Sequence, residues 1–148
     1  GTDLGYVPSE LKTKELCELA VKNDGEALKH VPYDFKTKEL CEIAIKQNGK
    51  NISYTPEQYR TKELCEIAVQ NDGLALYSVP MELRTKELCE LAIKQDKISL
   101  EYVPEKLKKE MIAYLSYQTL KLPEKLYINA FQKLKEYFPD NSLSLSVN

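Results

Sequence analysis

Nearly the same nine residues occur four times in this chain, at constant spacing. Lys36-Thr37-Lys38-Glu39-Leu40-Cys41-Glu42-Ile43-Ala44 is one copy, and the others centre on Cys17, Cys65 and Cys89, which gives a period of 24 residues. A fixed period between about 20 and 50 residues is the mark of a stacked array, in which no unit can bury its apolar face alone. That constraint decides the fold class before any single residue is weighed.

Within the period the residue order reads as a helical unit. Pro8, Pro32, Pro56, Pro80 and Pro104 fix φ near −65°, remove a donor and push the residue before them into an extended conformation. Thr13, Thr37, Thr61 and Thr85 follow where an N-cap is wanted. After the cap, Leu16, Cys17, Ala20 and Val21 share one helical face, while Lys14, Glu15, Glu18 and Lys22 take the other. Glu18 with Lys22, Glu42 with Lys46 and Glu90 with Lys94 stand at i,i+4 in the favoured orientation. Gly25, Gly49 and Gly73 read as left-handed helix stops, a rule that Lys97 breaks in the fourth copy. Beyond each stop, Ala27-Leu28, Ile52, Ala75-Leu76 and Leu100 anchor a second helix of about two turns, too short to persist without neighbours.

Leu40-x-x-Ile43-x-Ile45-x-x-Asn48 also fits a leucine-rich-repeat pattern. That fold needs a strand around Ile43, in a stretch filled with Glu, Lys, Ala and Leu, which favour helix, and it gives Cys41 and Ala44 no reason to be small and apolar. After Pro104 the period fails: Lys109 replaces the threonine cap, although Met111-Ile112-Ala113 keeps the register of Leu88 and Cys89. Two longer helices are expected near 105–120 and 124–138, the second with Leu126, Ala130, Leu134 and Phe138 on one face beside Tyr127 and Phe131. The fold expected is all-α, a single domain: a right-stacked helical-hairpin solenoid of about four 24-residue repeats over 1–104, a C-terminal helical cap over 105–138, and a loose tail over 139–148.

A formal net charge of −2 in 148 residues gives no general attraction to nucleic acid or membrane. There is no run of about 18 apolar residues and no secretory pattern at the N-terminus. Gly1 to Pro8 aligns with Gly25 to Pro32, so the chain opens in mid-repeat, as expected of a segment of a longer protein. Equivalent positions on stacked helices lie roughly 8–10 Å apart, whereas a disulfide needs Cα atoms within about 4.4–6.8 Å, and zinc needs converging ligands. The four cysteines are therefore expected to be small buried apolar residues, suited to a reducing, cytoplasmic compartment.

No metal, cofactor or catalytic residue is expected. His30 is replaced by Tyr54, Ser78 and Tyr102 in the other copies and has no nucleophile or carboxylate that the sequence places beside it. The row Glu18, Glu42, Glu66 and Glu90 lies next to lysines and is too widely spaced to share one ion.

Taken across the copies, Val-Pro-x-x-Leu-Lys-Thr-x-x-Leu-Cys-x-x-Ala-Val-x-x-Asn-Gly-x-Ala-Leu resembles a bacterial family of short helical tandem repeats of unknown function, over roughly residues 1–112. The resemblance implies an α-helical array and a parent of the effector type found in intracellular bacteria, with translocation into a host cell. It implies no catalytic residue.

Function is expected in the residues that differ between copies, since solenoids bind partners on extended surfaces where side chains vary without disturbing the stack. Glu26, Lys50, Leu74 and Ile98 form one such row, and Lys29, Ser53, Tyr77 and Glu101 another. Tyr33, Tyr54, Tyr77, Met81 and Tyr102 are the expected contacts for a protein partner, because Tyr is enriched at interfaces. Two alternatives stand beside this reading: a structural spacer or oligomerisation segment, and an edge that binds an anionic, phosphate-bearing ligand through Lys12, Lys14, Lys36, Lys38, Arg60, Lys62, Arg84 and Lys86 near the helix N-termini.

Overall fold

The computed structural model describes residues 3–120 and 123–137, and every regular element among them is helical. Four ten-residue α-helices, α1 (Lys14–Asn23), α2 (Lys38–Gln47), α3 (Lys62–Asn71) and α4 (Lys86–Gln95), recur in register and pack in series. Each starts where the sequence places it. Thr13, Thr37, Thr61 and Thr85 have extended backbones, and their hydroxyls accept the amides of Leu16, Leu40, Leu64 and Leu88 at 3.2–3.4 Å, leaving one fewer unpaired donor in each first turn.

The helix ends differ from the expectation. No glycine among Gly25, Gly49 and Gly73 has positive φ. The stop is made one residue earlier, by Asp24, Asn48, Asp72 and Asp96, whose extended backbone breaks the helix and whose side-chain oxygens accept the amide two residues on. Asp96 ends α4 in the same way although Lys97 follows it. The glycines are needed for a different reason: a Cβ on Gly49 would lie 2.1 Å from the Ala68 carbonyl oxygen and one on Gly73 2.5 Å from that of Ala92. They let the backbone of one repeat sit on the helix of the next. Lys97 is exposed, which a lysine at a glycine-type contact could not be.

The second helix is a six-residue 3-10 segment rather than an α-helix: Gly25–His30, Gly49–Tyr54, Gly73–Ser78 and Lys97–Tyr102. A further three-residue 3-10 turn follows each proline, at Ser9–Leu11, Tyr33–Phe35, Glu57–Tyr59 and Met81–Leu83. Every repeat is thus an α-helix and a 3-10 segment laid back to back. Cys17, Cys41, Cys65 and Cys89, with Val21, Ile45, Val69 and Ile93 beside them, form a fully buried seam that also takes in Leu28, Ile52 and Leu76 from the 3-10 side.

The last residues of α2, α3 and α4 tie each helix to the repeat before. Gln47 Nε2 donates to the carbonyls of Val21 and Lys22 at 3.0 and 3.1 Å, and its Oε1 accepts the Gly25 amide at 2.7 Å. Asn71 donates to Ile45 and Lys46, and Gln95 to Gln70. These amides satisfy helix-end carbonyls that the chain cannot pair locally.

Two longer helices, α5 (Glu105–Leu120) and α6 (Glu124–Tyr137), close the C-terminal end within a residue of the expected bounds. The register of α5 is not the one expected. It starts directly after Pro104, without the 3-10 turn and threonine cap, and its phase turns with that early start. Met111 is fully buried, whereas Ile112 is half exposed. Glu110 stands 24 residues after Lys86, where Lys14, Lys38 and Lys62 mark the same position in earlier repeats. It is 1% exposed and forms an ion pair with Lys86, itself 11% exposed, across the seam between α4 and α5. Lys94 reaches the same helix, over the ring of Tyr114. On α6, Leu126 is exposed. The side chains of Tyr127, Ala130, Phe131 and Leu134, all of Phe138 and the 139–148 tail lie outside the described residues.

Gly49→Ala should destabilise the chain by about 1–3 kcal/mol, as overpacking does, while Lys97→Ala should fall within about 0.5 kcal/mol; urea unfolding measures both. Glu110→Ala, which takes the carboxylate from Lys86, should cost about 3–5 kcal/mol, and the double change Lys86→Met with Glu110→Leu far less. Hydrogen exchange in α5 would localise that loss to the cap.

Candidate interaction surface

The side chains singled out for chemistry are mostly occupied with the fold. All four cysteines are free thiols at 0% exposure. Burial pushes the thiol of Cys65 up to about 11 and that of Cys89 up to about 12, and raises those of Cys17 and Cys41, all against an ordinary 9.0. Such thiols are poor nucleophiles at neutral pH. Cys65 and Cys89 face the carbonyls of Arg60 and Arg84 at 3.6 and 3.7 Å. Among the described residues no group of three or more His, Cys, Asp or Glu is placed to hold a metal ion. The carboxylate row is uneven: Glu42 pairs with Lys46 at 2.7 Å and is held below its usual range by that bond, while burial raises Glu90.

The basic pairs divide. The first member of each turns inward onto backbone. Lys12 Nζ donates to the His30 carbonyl at 2.9 Å and Lys36 Nζ to that of Tyr54 at 2.8 Å. The Arg60 guanidinium reaches the carbonyls of Ser53, Thr55 and Ser78, and that of Arg84 reaches Tyr77, Val79 and Tyr102. These four cations close the ends of the 3-10 segments, a favourable place for positive charge. Of the second members, Lys14, Lys38 and Lys62 are exposed and Lys86 pairs with Glu110. The structure does not bring the eight together as one charged edge.

The five expected contact residues also separate. Tyr54 and Tyr102 are half-buried and pack against the core clusters. Tyr33 is exposed and exchanges hydrogen bonds with the Gln58 amide in the next repeat, at 2.9 and 3.1 Å. Tyr77 and Met81 are exposed, at 66% and 57%, and the Tyr77 ring meets that of Tyr102 edge to face at 5.2 Å between centroids. Ile98, at 58%, and the half-buried Leu74 occupy the row that Glu26 and Lys50 begin.

The edge built from successive 3-10 segments therefore changes character along its length. In repeats one and two it carries Glu26 paired with Lys29 and Lys50 beside Asp72; in repeats three and four Leu74, Tyr77 and Ile98 stand in the same rows, with Lys97 and Glu101 as exposed charges in the fourth. Leu74 and Ile98 were visible as members of a variable row, but not as contacts. The amides of Gln47, Asn71 and Gln95 were also missed, although an Asn or Gln ends the α-helix in all four copies.

Cys65→Ser should destabilise by about 1–3 kcal/mol at neutral pH, since a hydroxyl enters an apolar seam. In the folded chain the thiol keeps its proton to about 11, whereas the unfolded thiol loses it near 9.0. The native thiol's contribution is therefore complete below about 9 and is lost as pH rises towards about 11. Urea midpoints measured across that interval should fall less steeply for Cys65→Ser than for the native chain.

Among the described residues no helix is long and apolar enough to cross a membrane. No curated protein and no solved structure matches the chain. The family described as Domain of unknown function (DUF4116) matches it three times, over residues 1–36, 13–60 and 61–108. Those matches span the repeats and stop where α5 begins to replace them, and the chain belongs to that family.

Proposed function

We propose that this chain is a non-catalytic protein-interaction module, an α-solenoid that presents its 3-10 edge to a protein partner. The observation that carries the reading is the apolar step on that edge, where Tyr77, at 66% exposure, and Ile98, at 58%, replace the charged and polar residues of the first two repeats. Exposed aromatic and aliphatic residues grouped on a rigid surface are the usual anchors of an interface. Met81, exposed in the turn that follows the Tyr77 segment, borders a separate cleft with Arg84, Pro104 and Leu107. A bacterial, effector-type parent is the setting that the sequence resemblance implies, and four free thiols suit a reducing compartment.

Tyr77→Ser with Ile98→Ser should abolish capture of the partner by the immobilised chain while leaving its thermal midpoint within a few degrees, because both side chains are exposed. Glu26→Ser with Lys50→Ser, at the same positions on the charged half, should leave capture intact. Equal capture by both double variants would reject the edge, and the absence of any partner that the native chain retains over them would favour the structural spacer.

A further inference from the structure

Where the repeats give way to the closing helices, the chain follows the pattern of the array and then leaves it. From Pro104 to Leu107 it takes the turn that each earlier proline starts: the Leu107 amide donates to the Pro104 carbonyl at 2.8 Å, as that of Leu83 donates to the Pro80 carbonyl at 2.9 Å. At the next residue the paths part. Arg84 and the Thr85 cap leave their turn with ψ of 70° and 164°, whereas Lys108 and Lys109 continue as α5. A cleft of about 530 Å³ lies at this junction, between the Met81–Leu83 turn and the start of α5. Met81, 57% exposed, Pro104 and Leu107 supply its apolar lining, and Leu107 also packs against the core. Its charged lining is Glu82, Arg84, Lys86 and Lys106. The Lys86 ammonium is matched by Glu110, which leaves two cations against one carboxylate, on a chain whose formal net charge is −2. Glu105, beside Lys106 in sequence, is paired with Lys108 at 3.3 Å.

We propose that this cleft is a docking site for a partner peptide in which an aromatic side chain stands next to a carboxylate. The volume takes one large side chain with its flanking backbone, in the range of sites that hold small ligands. Met81 favours an aromatic occupant, since a flexible thioether adapts to a ring and makes favourable sulfur–aromatic contacts, and covering Met81 and Pro104 removes apolar surface from water. Charge selects the neighbour of that ring. Lys106 is exposed, and Arg84, whose guanidinium is held against three carbonyls, is a cation that cannot turn away. A carboxylate beside the ring is attracted by both, and a basic residue in its place is repelled. The cleft is distinct from the 3-10 edge that Tyr77 and Ile98 form, and neither reading depends on the other.

The test is a titration of the isotopically labelled full chain with the synthetic peptide Gly-Glu-Phe-Glu-Gly, acetylated and amidated at its ends. Saturable amide shifts concentrated in residues 81–86 and 105–107 are expected. Lys106→Glu, at an exposed position, should weaken binding at least about tenfold. Met81→Ser should do the same, and a peptide with lysines in place of both glutamates should not bind. Tyr77→Ser with Ile98→Ser should leave the shifts unchanged; their loss in that variant would overturn the assignment to this cleft. No shifts at millimolar peptide, shifts that survive both cleft substitutions, or equal binding of the lysine peptide would overturn the proposal. Sedimentation of the chain alone is expected to give a monomer; a dimer that Met81→Ser dissolves would assign the cleft to a second copy and overturn the choice of partner.

Discussion

The interval between repeats is set by a contact that tolerates no side chain. Gly25, Gly49 and Gly73 lie against the backbone of Ala44, Ala68 and Ala92, with the later two leaving less than 2.6 Å for a Cβ. Two further features follow from that approach. The helix must present alanine where the glycine lands, and an amide at its last position then comes within reach of carbonyls in the helix before it. Glycine, alanine and terminal amide form one device, and the cysteine seam fills the volume that the device leaves. Stability in such a stack is a sum over neighbouring interfaces, so the same small contact is used each time.

Much of what resembles chemistry in this chain belongs to that stacking. A histidine, four cysteines and eight basic residues suggest a site when read singly. In place, the thiols are sealed in an apolar seam, four of the cations terminate 3-10 segments, and one more is matched by Glu110. The Lys86 and Glu110 pair marks the point where the lattice ends. The lysine at this position is exposed in the first three repeats, and in the fourth it meets the buried carboxylate of Glu110 on α5, since a buried charge accepts little but its opposite.

The period, the four α-helices, their threonine caps and the two closing helices could be read from the sequence because each rests on local rules: proline geometry, hydroxyl capping and a 3.6-residue apolar pattern. What stayed hidden depends on relations across 24 residues. The glycines looked like left-handed stops because that is their commonest use at a helix end, while the closeness of the next repeat appears only in three dimensions. The inward turn of Lys12, Lys36, Arg60 and Arg84 depends on carbonyls 18 residues away. The phase of α5 moved because the helix began before the missing cap. On the candidate surface, the variable rows were legible, but the exposure that separates Tyr77 from Tyr54 was not.

The four inward cations are not equal. Lys12 and Lys36 each hold one carbonyl, while Arg60 and Arg84 each hold three, spread over two segments of the chain. A planar guanidinium fixes the groups it bonds in orientation as well as distance, which a single ammonium contact cannot do. The tie between neighbouring 3-10 segments is consequently a single ammonium contact at Lys12 and Lys36 and a three-point guanidinium contact at Arg60 and Arg84. Exchanging the arginines for lysines would leave the first contact of each in place and remove the other two, so the two residue types are not equivalent at this position.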